Sequence, residues 1–122
     1  MTPPNNITLS KDKKLLTVSF KEEDYGLTSE FLRVYSPSAE VRGHGPGQET
    51  LQLNKQDVSI SSLVPMGNYA IAIHFNDGHS TGIYSWSYLL HLGLENEKLW
   101  QDYCRRVKEN STNNKNYHEV SI

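Results

Sequence analysis

Cysteine is almost missing from this sequence: Cys104 is the one thiol in 122 residues. A lone cysteine closes no internal disulfide, which suits a reducing compartment and sets the expectation of a cytoplasmic protein. Long apolar runs are missing too. Nothing approaches the roughly 18 consecutive apolar residues that cross a bilayer, and the start lacks the basic-then-apolar pattern of a secretory signal, so no membrane association is expected. Nor is there an excess of positive charge. Twelve Lys+Arg stand against 14 Asp+Glu, a formal net charge of -2, and without a broad basic field nucleic-acid binding is disfavoured.

Catalytic signatures are absent as well. There is no Gly-Lys-Ser/Thr phosphate loop, no dinucleotide fingerprint, no nucleophile elbow, and no pair of carboxylates in an apolar context. The expectation is a non-enzymatic protein without a cofactor. A chain of this length fits one domain, and 36% hydrophobic residues suffice for a modest core.

What is present is organised around residues 67–92, GNYAIAIHFNDGHSTGIYSWSYLLHL. Tyr69, Ile71, Ile73 and Phe75 alternate with Ala70, Ala72 and His74, the period of a strand with one apolar row. Asn76-Asp77-Gly78 tolerates positive φ and predicts a hairpin, from which the chain resumes through His79 to Tyr84. Ser85 is placed to cap a short aromatic helix that Gly93 closes.

Upstream, Ile7 to Ser10 and Leu15 to Phe20 flank a charged tip and predict a first hairpin, preceded by a fraying segment at 1–6. Thr28 or Ser29 caps a helix reaching Tyr35. Ser36-Pro37 then restarts the chain with proline in a first helical turn, and Ser38 to Val41 continue it. Arg42-Gly43-His44-Gly45-Pro46-Gly47 holds three glycines and a proline in six residues, which excludes a regular element. Leu51 and Leu53 suggest a short strand and Val58 to Ser61 another. From an Asn96 cap, Leu99, Trp100, Tyr103, Cys104 and Val107 recur at helical spacing, predicting a helix packed on the sheet with Cys104 on its apolar face. Arg105, Arg106 and Lys108 then suit its C-terminal dipole. The remainder, 109–122, is rich in asparagine and serine and reads as a disordered tail. The fold expected is α+β, a small antiparallel sheet of hairpin plus meander covered by two to three short helices.

Three groups of residues invite a functional reading. Arg42 and His44 sit in a glycine loop whose amides can converge on an anion, or whose glycines merely let it turn tightly. His74, His79 and His91 are nitrogen donors that a hairpin can gather around a metal, yet no carboxylate stands at the i+2 position after any of them to complete a facial triad, and His79 also reads as a turn residue bonded across the hairpin. Tyr69, Tyr84, Trp86 and Tyr88 form either a binding face or half-buried core.

The runs LRVYSPSAEVRGHGPGQ (32–48), VPMGNYAIAIHFNDGH (64–79) and TGIYSWSYLLHLG (81–93) resemble the bacterial DUF971 family, whose domain is similar to the N-terminal domain of γ-butyrobetaine hydroxylase. The resemblance spans about 7–108. In the hydroxylase relatives it implies a structural zinc held by a Cys-Pro-Cys-x-x-Cys segment and a later histidine. Here those positions read Ser36, Ser38, Val41 and His79, and only His79 is a competent ligand, so the zinc site is expected to be lost. The oxygenase domain of those relatives has no counterpart here. The domain also resembles an extension on some Mrp-type ATPases that carry iron–sulfur clusters, which implies an accessory role beside an iron–sulfur carrier ATPase or an oxygenase. The expected binding surface is Arg42, His44, Tyr69, His79, Tyr84, Trp86 and Tyr88, serving a protein partner or, alternatively, a metal or small anion bound by the Arg42–His44 loop and His79.

Overall fold

Leu16, Val18 and Phe20 all face the interior, as their alternation requires, and two meanders are built around rows of this kind. The computed structural model describes residues 2–43, 45 and 47–121, with side chains described through residue 111. Six strands and four helices follow in the order β1 (Asn6–Leu9), β2 (Leu15–Phe20), β3 (Glu23–Thr28), α1 (Ser29–Val34), α2 (Ala39–Arg42), β4 (Ile60–Met66), β5 (Ala70–Phe75), β6 (Gly82–Ser85), α3 (Trp86–Leu94) and α4 (Asn96–Ser121). The class is α+β, as expected, but the strands divide into two three-stranded antiparallel sheets, β1-β2-β3 and β4-β5-β6.

The extra strand is β3, which the sequence hides. Its residues EDYGLT include two acids and a glycine, all poor strand formers, and Leu27 is the one residue of the six that is fully buried. Pairing supplies what propensity does not: Leu27 lies opposite Leu16, across a turn that Lys21 makes at φ 56°. The two sheets share one core, with Leu16, Val18 and Leu27 from the first and Ile60, Ile71 and Ile73 from the second. Backbone bonds tie them at one end, where Lys13 O accepts from Ile60 N at 2.8 Å and Val58 O accepts from the buried Ser29 hydroxyl at 2.6 Å.

The central hairpin forms as predicted, with Gly78 at φ 93°, and Ser85 caps α3 by accepting from Tyr88 N. Other expectations are corrected. Gly93 does not close α3: the helix runs on to Leu94, and Gly93 sits within it because the ring of Tyr25 lies against its Cα. Tyr69 falls in the turn before β5 and is 64% exposed rather than continuing the inner row. Pro37 is one residue too early for a first helical turn, since the cap of α2 is Ser38, whose hydroxyl accepts from Glu40 N. Leu51 and Leu53 lie in irregular chain, held by side chains instead of a ladder: Tyr103 OH donates to Gln52 O at 2.5 Å.

Helix α4 is seated on α1 and α3 and meets the first sheet at β3. Tyr35 OH donates to Leu99 O at 2.7 Å, Trp100 meets Phe31 edge-on, and Asn96, already inside the helix, gives its amide to Gly26 O of β3. Cys104 is exposed, not packed. The helical backbone continues to Ser121, past Glu109 where composition places a tail. No proline or glycine follows Gly93, and Arg105 pairs with Asp102 and Glu109 along one face.

Candidate functional site

The short helix α2 and the loop before it are fastened to the second sheet by His79. Its Nε2 lies 2.8 Å from Ser36 Oγ, and its Nδ1 is 3.3 Å from Glu40 Oε2, too poorly directed for a hydrogen bond. Ser38 N also donates to Ser36 Oγ, so the hydroxyl joins the ring to the start of α2. Burial, and then the charge of Arg33, holds the imidazole below the ordinary histidine value of 6.5, so it is neutral at neutral pH. Beside it Asp77 accepts from Arg33 at 2.9 Å and Lys55 at 3.1 Å. Burial pushes that carboxyl up, but the His79 amide, Lys55 and Arg33 outweigh it and bring it to about 2.

Hydroxyl, imidazole and carboxylate stand here in the order of a hydrolase triad. Ser36 is only 1% exposed and packs so tightly against Gly82 that a Cβ there would lie 2.6 Å from its Oγ. That leaves no space beside the hydroxyl for a substrate carbonyl, and the arrangement works as a clip. Ser38 Oγ is committed to the α2 cap, Val41 is buried aliphatic, and Ser36 does not cap the turn but bonds His79. This donor set, one imidazole with two hydroxyls, does not fit zinc. His74 is occupied separately, 3.0 Å from Ser62 Oγ, and among the described residues no three His, Cys, Asp or Glu side chains gather.

On the other side of α2 opens a cleft of about 590 Å³. Its lining takes Arg42 from the end of α2, His91 from α3 and Arg106 from α4. The Arg42 guanidinium stands 5.1 Å over the ring of Tyr88, and that of Arg106 stands 5.8 Å over Tyr35. Tyr88 OH donates to the backbone carbonyl of Tyr35 at 2.6 Å, which ties α3 to the end of α1. Each guanidinium in the lining is thus held over its own tyrosine ring. Burial pushes both phenols up, against the pull of the neighbouring arginine, so each remains a donor at neutral pH. Val41, Leu51, Leu92 and Leu99 supply apolar wall, and Glu49 is the carboxylate of the lining. Gly43, at φ 74°, admits no side chain because a Cβ would strike the Gln48 carbonyl, which fixes the turn beside Arg42.

The expected surface is therefore redistributed. Arg42 and Tyr88 meet in the cleft, while His79 joins the clip and does not line it. Tyr84 is fully buried with its hydroxyl on Leu32 O, and Trp86 is buried with Nε1 on Asn68 O, so both leave the surface. Tyr69 is exposed away from the cleft lining, and His44 lies outside the described residues. The missed residues are Tyr35, Tyr103 and Arg106. Leu99, Tyr103 and Arg106 do recur at i, i+4, i+7, the signal of one helix face.

Comparison with known proteins agrees with this architecture. The model of the γ-butyrobetaine hydroxylase-like N-terminal family matches residues 7–90. No curated protein matches. Two solution NMR structures are similar, one 41% identical with a TM-score of 0.79 over 91% of this chain and 88% of that one, the other 38% identical with a TM-score of 0.76 over 91% and 83%. A crystal structure of a DUF971-family protein of unknown function from Acidithiobacillus ferrooxidans is 34% identical, with a TM-score of 0.62 over 74% of this chain and 91% of that one. On the family match and these three likenesses, the chain belongs to the γ-butyrobetaine hydroxylase-like N-terminal domain family, DUF971.

Proposed function

We propose that this is a non-enzymatic accessory domain of the cytoplasm that docks a protein partner at the cleft between α2, α3 and α4. The observation that carries the reading is the pair of guanidiniums held over Tyr88 and Tyr35 in the lining of one cleft, of which Arg42 has no ion-pair partner among the described residues. Arginine and tyrosine are the side chains that interfaces favour, since they offer large contact area and directional bonds at low entropy cost. An iron–sulfur carrier ATPase or an oxygenase is the class of partner that the family's occurrence beside such enzymes suggests, with the recognition made by this chain and the chemistry by the partner. In this member, on the same reading, the structural zinc has been given up and its place taken by the Ser36–His79 hydrogen bond.

Affinity capture from the native host tests the reading, with Arg42→Ala and the turn variant Lys11→Ala run beside the wild type. The expected result is one prey recovered with wild type and Lys11→Ala and lost with Arg42→Ala. Equal recovery with all three overturns the docking site.

A further inference from the structure

We infer that the cleft recognises a carboxylate group borne on a small apolar body. The inference rests on the reading above that this cleft is where the domain binds, and it names what is bound there.

The argument is one of charge, geometry and wall. In a chain whose formal net charge is -2, Arg42 of α2 and Arg106 of α4 both line this one cleft, with the imidazole of His91 from α3. Structural arginines are ordinarily consumed by carboxylates, as Arg33 is by Asp77. Arg42 is not: among the described residues it has no ion pair, and its exposed side chain is held with the guanidinium over Tyr88. Arg106 is only partly consumed. Its Nε is fully buried and donates to nothing, although Asp102 Oδ2 is 3.2 Å away, and its Nη2 reaches Tyr35 OH at 3.3 Å. A guanidinium presents a planar fork of donors that matches a carboxylate in two parallel bonds.

The wall narrows the class further. Val41, Leu51, Leu92 and Leu99 form an apolar surface in the same lining, and a volume near 590 Å³ falls in the range of small-ligand sites. A bare phosphate would satisfy the arginines and leave that wall in water. A carboxylate carrying an aromatic or aliphatic body satisfies both, with its charge at the arginines and its body against the leucines. Glu49, also in the lining, disfavours a second negative group. Two sources carry this chemistry: a free organic acid, or the C-terminal carboxylate of a partner whose last residue is apolar.

The test is a titration of the ¹⁵N-labelled full chain, followed by amide and arginine Nε resonances. Four probes are used: sodium phenylacetate, N-acetyl-Gly-Gly-Phe with a free carboxylate, the same peptide as its amide, and inorganic phosphate. The inference expects saturable shifts at Gly43, Gly45, Leu51 and His91 with phenylacetate or the free-acid peptide, and none with the amide. Binding of phenylacetate assigns a free acid as a sufficient source, and binding of the free-acid peptide alone assigns a chain terminus. Arg42→Gln should weaken that binding about tenfold, the loss of a charge-assisted hydrogen bond. The spectrum of that variant reports at once that the fold is intact. Shifts with phosphate alone, equal shifts with the amide, no saturable shift, or binding indifferent to Arg42→Gln overturns the inference. A null titration combined with Arg42-dependent capture of a prey would discard the carboxylate and keep the docking site. Carboxylate binding with Arg42-independent capture would do the reverse.

Discussion

His79 shows how a single side chain is decided by partners far along the chain. Its place after Asn76-Asp77-Gly78 was legible as a turn, and the backbone does close there, with Phe75 N donating to His79 O. Its ring, however, goes to Ser36, 43 residues away, and no local spacing announces that. The same holds for Arg106 and Tyr35, which are 71 residues apart and meet only because α4 returns over α1. The clip carries a prediction in pH. The folded state holds His79 below 6.5, so the unfolded chain takes up its proton first as pH falls. The stability that goes with the neutral ring is complete above 6.5 and declines below it. Asp77 behaves likewise lower down, its contribution present above its ordinary 3.8 and lost as pH falls toward about 2. Urea unfolding followed across pH should therefore show two declining limbs, with His79→Gln removing the upper one and Asp77→Asn the lower. A profile flat from pH 7 to 5 contradicts the burial of a neutral ring.

Among the elements, those announced by periodicity were readable and those made by pairing were not. The β2 row, the β5 row, the Thr28 and Ser85 caps and the central turn follow from alternation and capping chemistry, which are local. Strand β3 has weak propensity and exists because Leu16 and Leu27 pair across the ladder. Residues 51 and 53 alternate but have no strand edge to join. Gly93 is the sharpest case, since glycine after an aromatic helix suggests a terminus, whereas here the missing side chain admits the Tyr25 ring. In an exposed helix Gly→Ala stabilises by about 1 kcal/mol. At this position a Cβ would lie 2.7 Å from Tyr25 Cγ and 2.9 Å from its Cβ, atoms near the backbone that cannot swing away. Gly93→Ala is expected to destabilise by about 1–3 kcal/mol, read from chemical unfolding. A gain in stability would show that α3 and β3 are not pressed together there.

At the scale of the molecule, two small sheets and four helices enclose one core and leave a cationic cleft on the helical side. Composition made the class legible and the charge balance excluded a broad basic surface, but a net charge says nothing about where the arginines gather. Of the cleft, Arg42 and Tyr88 were visible in the sequence as chemistry-bearing residues near glycines and aromatics. Their neighbours on α4 were visible only as a helix face. The claim on which the account turns is that binding takes place at this cleft. Its most direct test is site-specific photo-crosslinking in the native host, with a benzophenone amino acid at Leu51 in the cleft wall and, separately, at Tyr69, which is exposed outside it. The account predicts an adduct from position 51 that Arg42→Ala abolishes, and none of the same mass from position 69. An adduct from position 69 alone, or one from position 51 that survives Arg42→Ala undiminished, would contradict it.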